Sequence, residues 1–222
     1  MKFNHPEIET VIDTQIGYYN TLIIEEQRFL ARLLEDIVKQ LQGRDGDSII
    51  AVNDSPVQFS RNGLLLDCFV PFELNRKPLL NAIIAELAKR ASASEYFERT
   101  SAALGSVELW LNDLAYDFPC DIVFPNISIS ALLKAASPEI RGEDATIAER
   151  VLDYMELIEE FDRQRLFFTL NMRSFVTDEE MECFASTAIS HGYQIIGIES
   201  MAHEMLSTEK RIIIDSDLCE IC

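Results

Sequence analysis

The stretch from residue 165 to 198 constrains the fold more than any other part of this chain of 222 residues. Residues 165–170 (RLFFTL) are a short, almost wholly apolar run rich in aromatic side chains, as a strand covered on both faces requires. Thr177-Asp178-Glu179-Glu180 then opens a helix that runs to about residue 191, and Thr177 with Glu180 has the form of a capping box. Residues 193–198 (YQIIGI) read as a second strand. No hairpin signal separates the two strands, so the helix has to carry the chain back across the sheet. The expectation is a right-handed parallel crossover.

The same alternation opens the chain. Residues 21–25 (TLIIE) form a short β-branched run, and Phe29, Leu30, Leu33, Leu34, Ile37, Val38 and Leu41 follow at helical spacing, with Gly43 as the cap. Residues 48–52 read as another strand and residues 57–59 as a short one before an Arg61-Asn62-Gly63 turn. Ile212-Ile213-Ile214 supplies a last strand. Between these parts residues 78–162 are mostly helical. One apolar stripe contains Leu79, Leu80, Ile83, Ile84 and Leu87, a second Val107, Leu109, Trp110, Leu111 and Leu114, and a third Val151, Leu152, Met155, Leu157, Ile158 and Phe161. The chain therefore reads as an α/β domain of residues 1–76 and 163–222, interrupted by a helical domain of residues 77–162.

Several function classes fall away at this level. No apolar run reaches the roughly 20 residues of a membrane span, and the opening residues MKFNHP lack the apolar stretch of a signal peptide. The expected location is the cytoplasm. Five cysteines in no framework spacing suit a reducing compartment, and Cys219-x-x-Cys222, without a second pair or a nearby histidine, reads as structural or incidental rather than metal-binding. No G-x-x-x-x-G-K-[ST], G-x-G-x-x-G or G-x-S-x-G sequence occurs. Where a parallel α/β protein would place a phosphate loop, after Ile24, the chain has Glu25-Glu26-Gln27-Arg28, and two carboxylates repel a phosphate. The histidines His5, His191 and His203 share no ligand spacing. These observations predict no enzymatic activity.

Charge is the second constraint. The net charge of −19 ordinarily argues against nucleic acid, but its distribution matters more than its sum. Residues 1–75 carry 12 acids and 6 bases, residues 76–150 carry 11 and 8, and residues 151–222 carry 15 and 5. Any basic surface belongs in the middle third, whose bases include Arg76, Lys77, Lys89, Arg90, Arg99, Lys134, Arg141 and Arg150. Lys134 lies on a short helical run at 129–136 and Arg141 in a loop containing Pro138 and Gly142, and by themselves such exposed bases ordinarily only solubilise. Asp113, Asp117 and Asp121 bunch around an irregular stretch. They offer either hard oxygen ligands to a cation such as calcium, in a spacing that is no EF-hand, or simply solvated acids.

The ordered set MKFNHPE at the start, NTLIIE at 20–25, the segment from Asp121 through LLKA at 132–135, residues 166–175, and IIDSDLCEI at 213–221 resembles the Csn2 family, the small adaptation protein of type II-A CRISPR systems. The resemblance spans essentially the whole chain. It implies an α/β head with a parallel-type sheet, an ATPase-like core without a phosphate loop, and an inserted α-helical leg. Members of that family are non-catalytic homotetrameric rings that bind calcium and thread onto the ends of linear double-stranded DNA without sequence preference. They assist the CRISPR integrase complex and the type II effector nuclease in spacer acquisition. Carried onto this chain, the leg lysine corresponds to Lys134 and the base beyond it to Arg141, with Arg150 added from its place on the next helix. The family's calcium ligands fall around residues 117–126, where Asp121 is kept and Pro125-Asn126 stand in place of acids. An acidic interaction scaffold of the adaptation complex, with only incidental DNA contact, is the second expectation.

Overall fold

A computed structural model describes residues 1–14, 17–124, 127–141, 145–161 and 165–221. In chain order the elements are β1 (Lys2–Asn4), β2 (Ile12–Asp13), β3 (Tyr19–Ile24), α1 (Gln27–Leu41), β4 (Ile49–Val52), β5 (Ser55–Val57), α2 (Phe59–Asn62), β6 (Gly63–Leu66), α3 (Lys77–Ala91), α4 (Phe97–Ala115), α5 (Ile129–Ala135), α6 (Ile147–Phe161), β7 (Leu166–Leu170), α7 (Asp178–His191), β8 (Gln194–Glu199), β9 (Glu209–Ile214) and β10 (Glu220–Ile221). The fold is mixed α/β. A six-stranded sheet has the order β10-β9-β3-β8-β7-β6 and a four-stranded sheet the order β2-β1-β4-β5.

Pairing in the larger sheet is parallel from β9 to β6, and only β10 runs antiparallel, against β9. The expected crossover is present: β7 and β8 are parallel in the register Leu166 to Gln194, with α7 between them. Its helix begins with a full capping box, in which Thr177 accepts from the Glu180 amide and Glu180 accepts from the Thr177 amide at 2.8 Å. It ends at Gly192, whose φ of 75° is left-handed. Thr177→Ala removes a hydroxyl that satisfies an otherwise unpaired amide. A loss of about 1 kcal/mol in urea unfolding is expected, with Thr177→Ser near wild type.

Strand alternation sorts the side chains of the larger sheet. Leu22 and Ile24 of β3, Leu166 and Phe168 of β7, Ile196 and Ile198 of β8, and Ile212 and Ile214 of β9 join one cluster with Phe29, Leu33 and Ile37 of α1 and with Phe3 and Ile50 of the smaller sheet. Phe168 lies at its centre, edge-on to Phe3 at 5.1 Å and stacked on Phe59 at 5.9 Å. Buried Met181, Phe184, Ala185 and Ala188 of α7 accompany the opposite set of strand residues, and Tyr19 meets Phe184 edge-on at 6.1 Å. That second face is the unusual one, because it carries charged side chains.

Two features differ from expectation. The short strand expected at residues 57–59 lies two residues earlier, as β5 at Ser55–Val57, and the expected Arg61-Asn62-Gly63 turn is helical: α2 occupies Phe59–Asn62 and hands over directly to β6 at Gly63. Phe59 is pulled into the core and so holds this helical turn. The smaller antiparallel sheet was not anticipated either. Its signal is the Asn53-Asp54 pair, whose φ values of 50° and 60° make the two-residue turn joining β4 to β5.

The chain divides into two compact units, Met1–Glu73 with Gly142–Cys222, and Leu74–Arg141. The helical domain expected to reach residue 162 is thus shorter. Helix α6 packs against α7 and buries Ala148, Val151, Tyr154, Met155 and Ile158, so its apolar stripe serves the α/β unit. The expected boundary at residues 162 and 163 lies outside the described residues.

Candidate nucleic-acid interface

The division into units redraws the charge map. Leu74–Arg141 holds seven Lys and Arg against eight Asp and Glu, whereas the rest of the chain holds twelve against thirty. The helical unit is therefore close to neutral, and almost the entire negative excess belongs to the α/β unit. A phosphate-binding surface needs local positive charge within about 8 Å at physiological salt, so only the helical unit has a composition that allows one.

Within that unit α3 packs on α5. Lys134 lies in the last turn of α5 and is exposed. The helix is stopped by Ser137, whose φ of 49° is left-handed, and both the amide and the hydroxyl of Ser137 donate to the carbonyl of Lys134. Pro138 follows and prevents continuation. The chain is then caught by Asn75 at the approach to α3: Asn75 Nδ2 donates to the Ile140 carbonyl at 3.2 Å and Asn75 Oδ1 accepts from the Ile140 amide at 2.8 Å. The next residue is Arg141, which is exposed. Neither Lys134 nor Arg141 is paired with an acid among the described residues. On α3, by contrast, Lys89 and Arg90 share Glu86 at 3.3 and 3.1 Å.

Arg150 is placed differently. It belongs to α6 in the α/β unit and is half-buried, and its Nε is enclosed without a hydrogen-bond partner among the described residues. It shares neither element nor unit with Lys134 and Arg141. The carboxylates Asp113, Asp117 and Asp121 are all exposed. Spacings of four would stack them on one helical face, but α4 ends at Ala115, so only Asp113 is on the helix. Among the described residues no three His, Cys, Asp or Glu side chains come together to hold a metal ion. The expected calcium set of Asp113, Asp117 and Asp121 is thus not assembled within the described part of the chain, while Pro125 and Asn126 lie outside it. Cys219 is exposed and free, and Cys222 is outside the described residues.

The phosphate-loop position is occupied by the chain's own carboxylate. Glu26 caps α1, with Oε1 accepting from the Arg28 amide at 3.1 Å and Oε2 from the Phe29 amide at 2.6 Å. These backbone bonds hold Glu26 below the usual carboxylate range. An incoming phosphate would have to displace an anion already seated on the helix N-terminus.

The sequence did not reveal a second polar cluster, on the α7 face of the sheet. Arg173, in a short 3-10 turn after β7, bonds Asp178 at 2.7 Å and approaches Glu209 at 3.8 Å, while Arg211 grips Glu209 at 2.9 and 3.1 Å. Glu199, at the end of β8, accepts from the Arg173 amide at 3.3 Å. Its other oxygen and His203 Nε2 are both buried without a hydrogen-bond partner among the described residues and stand 3.7 Å apart. Burial raises Glu199 to about 7, and burial beside Arg173 lowers His203. Isolated glutamates and histidines carry no spacing signal, so only the folded sheet brings these together.

An α/β protein with a mostly parallel sheet, an interrupting helical unit and a self-capped helix where a phosphate loop would be is what the structure defines. The family model described as CRISPR-associated protein (Cas_Csn2) matches residues 40–218, about four fifths of the chain. The chain belongs to that CRISPR-associated family. Among solved structures, the crystal structure of Stu0660 of Streptococcus thermophilus is similar with a TM-score of 0.55 and 14% identity, over 89% of this chain and 68% of that one. At that identity the likeness concerns the fold. No described helix is long and apolar enough to cross a membrane.

Proposed function

We propose that this protein is a non-catalytic clamp that binds the ends of double-stranded DNA without sequence preference during CRISPR spacer acquisition. The observation that carries the reading is the charge partition: the helical unit is nearly neutral, and it exposes Lys134 and Arg141 free of acid partners among the described residues. Lys134 and Arg141 alone are too few for a monomer to hold a duplex firmly. Symmetry multiplies them, and a homotetrameric ring would present about eight.

Helix α4 supports assembly. None of its residues is buried, and Phe97, Leu109, Trp110 and Leu114 are each more than half exposed. Among the described residues these four side chains of its apolar stripe stay uncovered, and contact with a second copy would remove that surface from water. Calcium has no preassembled ligand set among the described residues, so in this reading DNA contact rests on the chain's own bases. Arg150, half-buried on the other unit, is a subordinate contact. The acids of the α/β unit would disfavour lateral approach of a duplex and leave threading over an end as the route of entry.

Linear and covalently closed circular duplexes of the same sequence separate this reading from an acidic scaffold. In gel shifts across a salt series, linear DNA is expected to bind and closed circles to remain free. Equal retention of both forms, or of neither, would leave only the scaffold, which binds a basic protein partner through the α/β unit.

A further inference from the structure

Resting on the DNA-contact reading above, we infer that Asn75 is a positioning residue for duplex binding, which acts through Arg141 by fixing the segment between Arg141 and Lys134. Nothing in the sequence marks it: Asn75 precedes α3, 66 positions before Arg141, and touches no expected ligand.

The geometry is specific. Its side-chain amide satisfies both the carbonyl and the amide of Ile140, at 3.2 and 2.8 Å, as a neighbouring strand would. A contact through both groups fixes the direction of the peptide chain as well as its place. The other end of the segment is equally restrained. Ser137 adopts a left-handed conformation with its amide and hydroxyl on the Lys134 carbonyl, and Pro138 has a ring-locked φ. The segment between Lys134 and Arg141 is held at both ends. The two cations are thus presented at a set spacing before any ligand arrives, and the ordering cost that a loose loop would incur on binding is avoided. Loosening Ile140 releases Arg141, its immediate neighbour, and leaves Lys134 on α5.

The test uses the full chain and a short linear duplex with free ends, with affinities measured over a series of salt concentrations. Wild type is compared with Asn75→Ala, Arg141→Ala, the double variant, and Asn81→Ala as a control that removes an exposed α3 asparagine. The expectation is that Asn75→Ala weakens binding by about 3-fold to 10-fold and makes the salt dependence shallower, as Arg141→Ala does. The double variant should be no weaker than Arg141→Ala alone, since Asn75 then has nothing to position. Asn81→Ala should match wild type. Hydrogen exchange at the Ile140 amide should accelerate in Asn75→Ala, which establishes that the clamp has opened whatever the global stability. Wild-type affinity in Asn75→Ala, an unchanged Ile140 exchange rate, or effects that multiply in the double variant would each overturn the inference while the DNA reading stands. Unchanged affinity in Arg141→Ala would overturn both, so that arm reports on the reading itself.

Discussion

Reversing both charges, Lys134→Glu with Arg141→Glu, is expected to weaken binding to linear duplex by about 100-fold or more at physiological salt. Each substitution removes a cation and adds an anion where phosphate would lie, and in a ring the change repeats in every copy. The variant should keep the wild-type elution volume on gel filtration and the wild-type melting temperature, because both side chains are exposed and neither is paired with an acid among the described residues. Arg150→Ala, which alters a half-buried residue of the α/β unit, is expected to change affinity less. Undiminished binding by the double reversal would place the duplex elsewhere and sink the assignment.

The second large effect concerns stability. Glu199 has an ordinary value of 4.5 that burial raises to about 7, so the folded chain binds a proton more tightly than the unfolded one. The stability this group contributes is present below 4.5 and is lost as the pH rises through about 7. Glu199→Gln keeps an acceptor for the Arg173 amide and places an amide donor toward His203. It is expected to stabilise the protein by about 3 kcal/mol at pH 8, a rise in Tm of roughly 6–12 °C, and to be near neutral at pH 4. His203 works in the opposite sense: its lowered value means that its contribution is present above 6.5 and fades on acidification. Glu209 is lowered as well; burial pushes it upward, but its hydrogen bonds, led by those from Arg211, together with the Arg211 charge outweigh that, and its contribution is lost only in more acidic solution. Parallel Tm profiles for wild type and Glu199→Gln between pH 5 and pH 8 would show that Glu199 does not titrate there.

The buried cluster around Glu199 and the exposed pair Lys134 and Arg141 illustrate opposite uses of charge. Buried charges must satisfy one another, which Glu209 and Arg211 do and which Arg173, Glu199 and His203 do only in part among the described residues. Exposed, unpaired charges cost little in the free chain and remain available to a ligand.

Local and periodic features were legible without coordinates. The runs at residues 165–170 and 193–198 specified the parallel crossover, because apolar strands joined by a capped helix have few other arrangements. Thr177 and Glu180 fixed where that helix begins, since a capping box depends on residues three apart. Glu25-Glu26 after Ile24 foretold a site that repels phosphate, and the structure adds that Glu26 itself occupies the amides. The near-balance of the middle third marked only where a basic surface could lie; Lys134 and Arg141 were singled out by the family resemblance.

Everything that depends on contacts between distant segments had to wait for tertiary structure. The periodicity of α6 and that of α4 look alike in sequence, yet α6 finds α7 and joins the α/β unit, whereas α4 has no fully buried residue. A hydrophobic stripe states that a face needs cover but not what supplies it. Asp113, Asp117 and Asp121 are close in sequence, but α4 ends at Ala115, so only Asp113 lies on the helix. Asn75 meets Ile140, and Glu199 meets His203 and Arg173, only because α5 lies on α3 and because β7 and β8 are adjacent. Hydrogen bonds and desolvation act over a few ångströms of space, and the sequence encodes such proximity only through the whole fold.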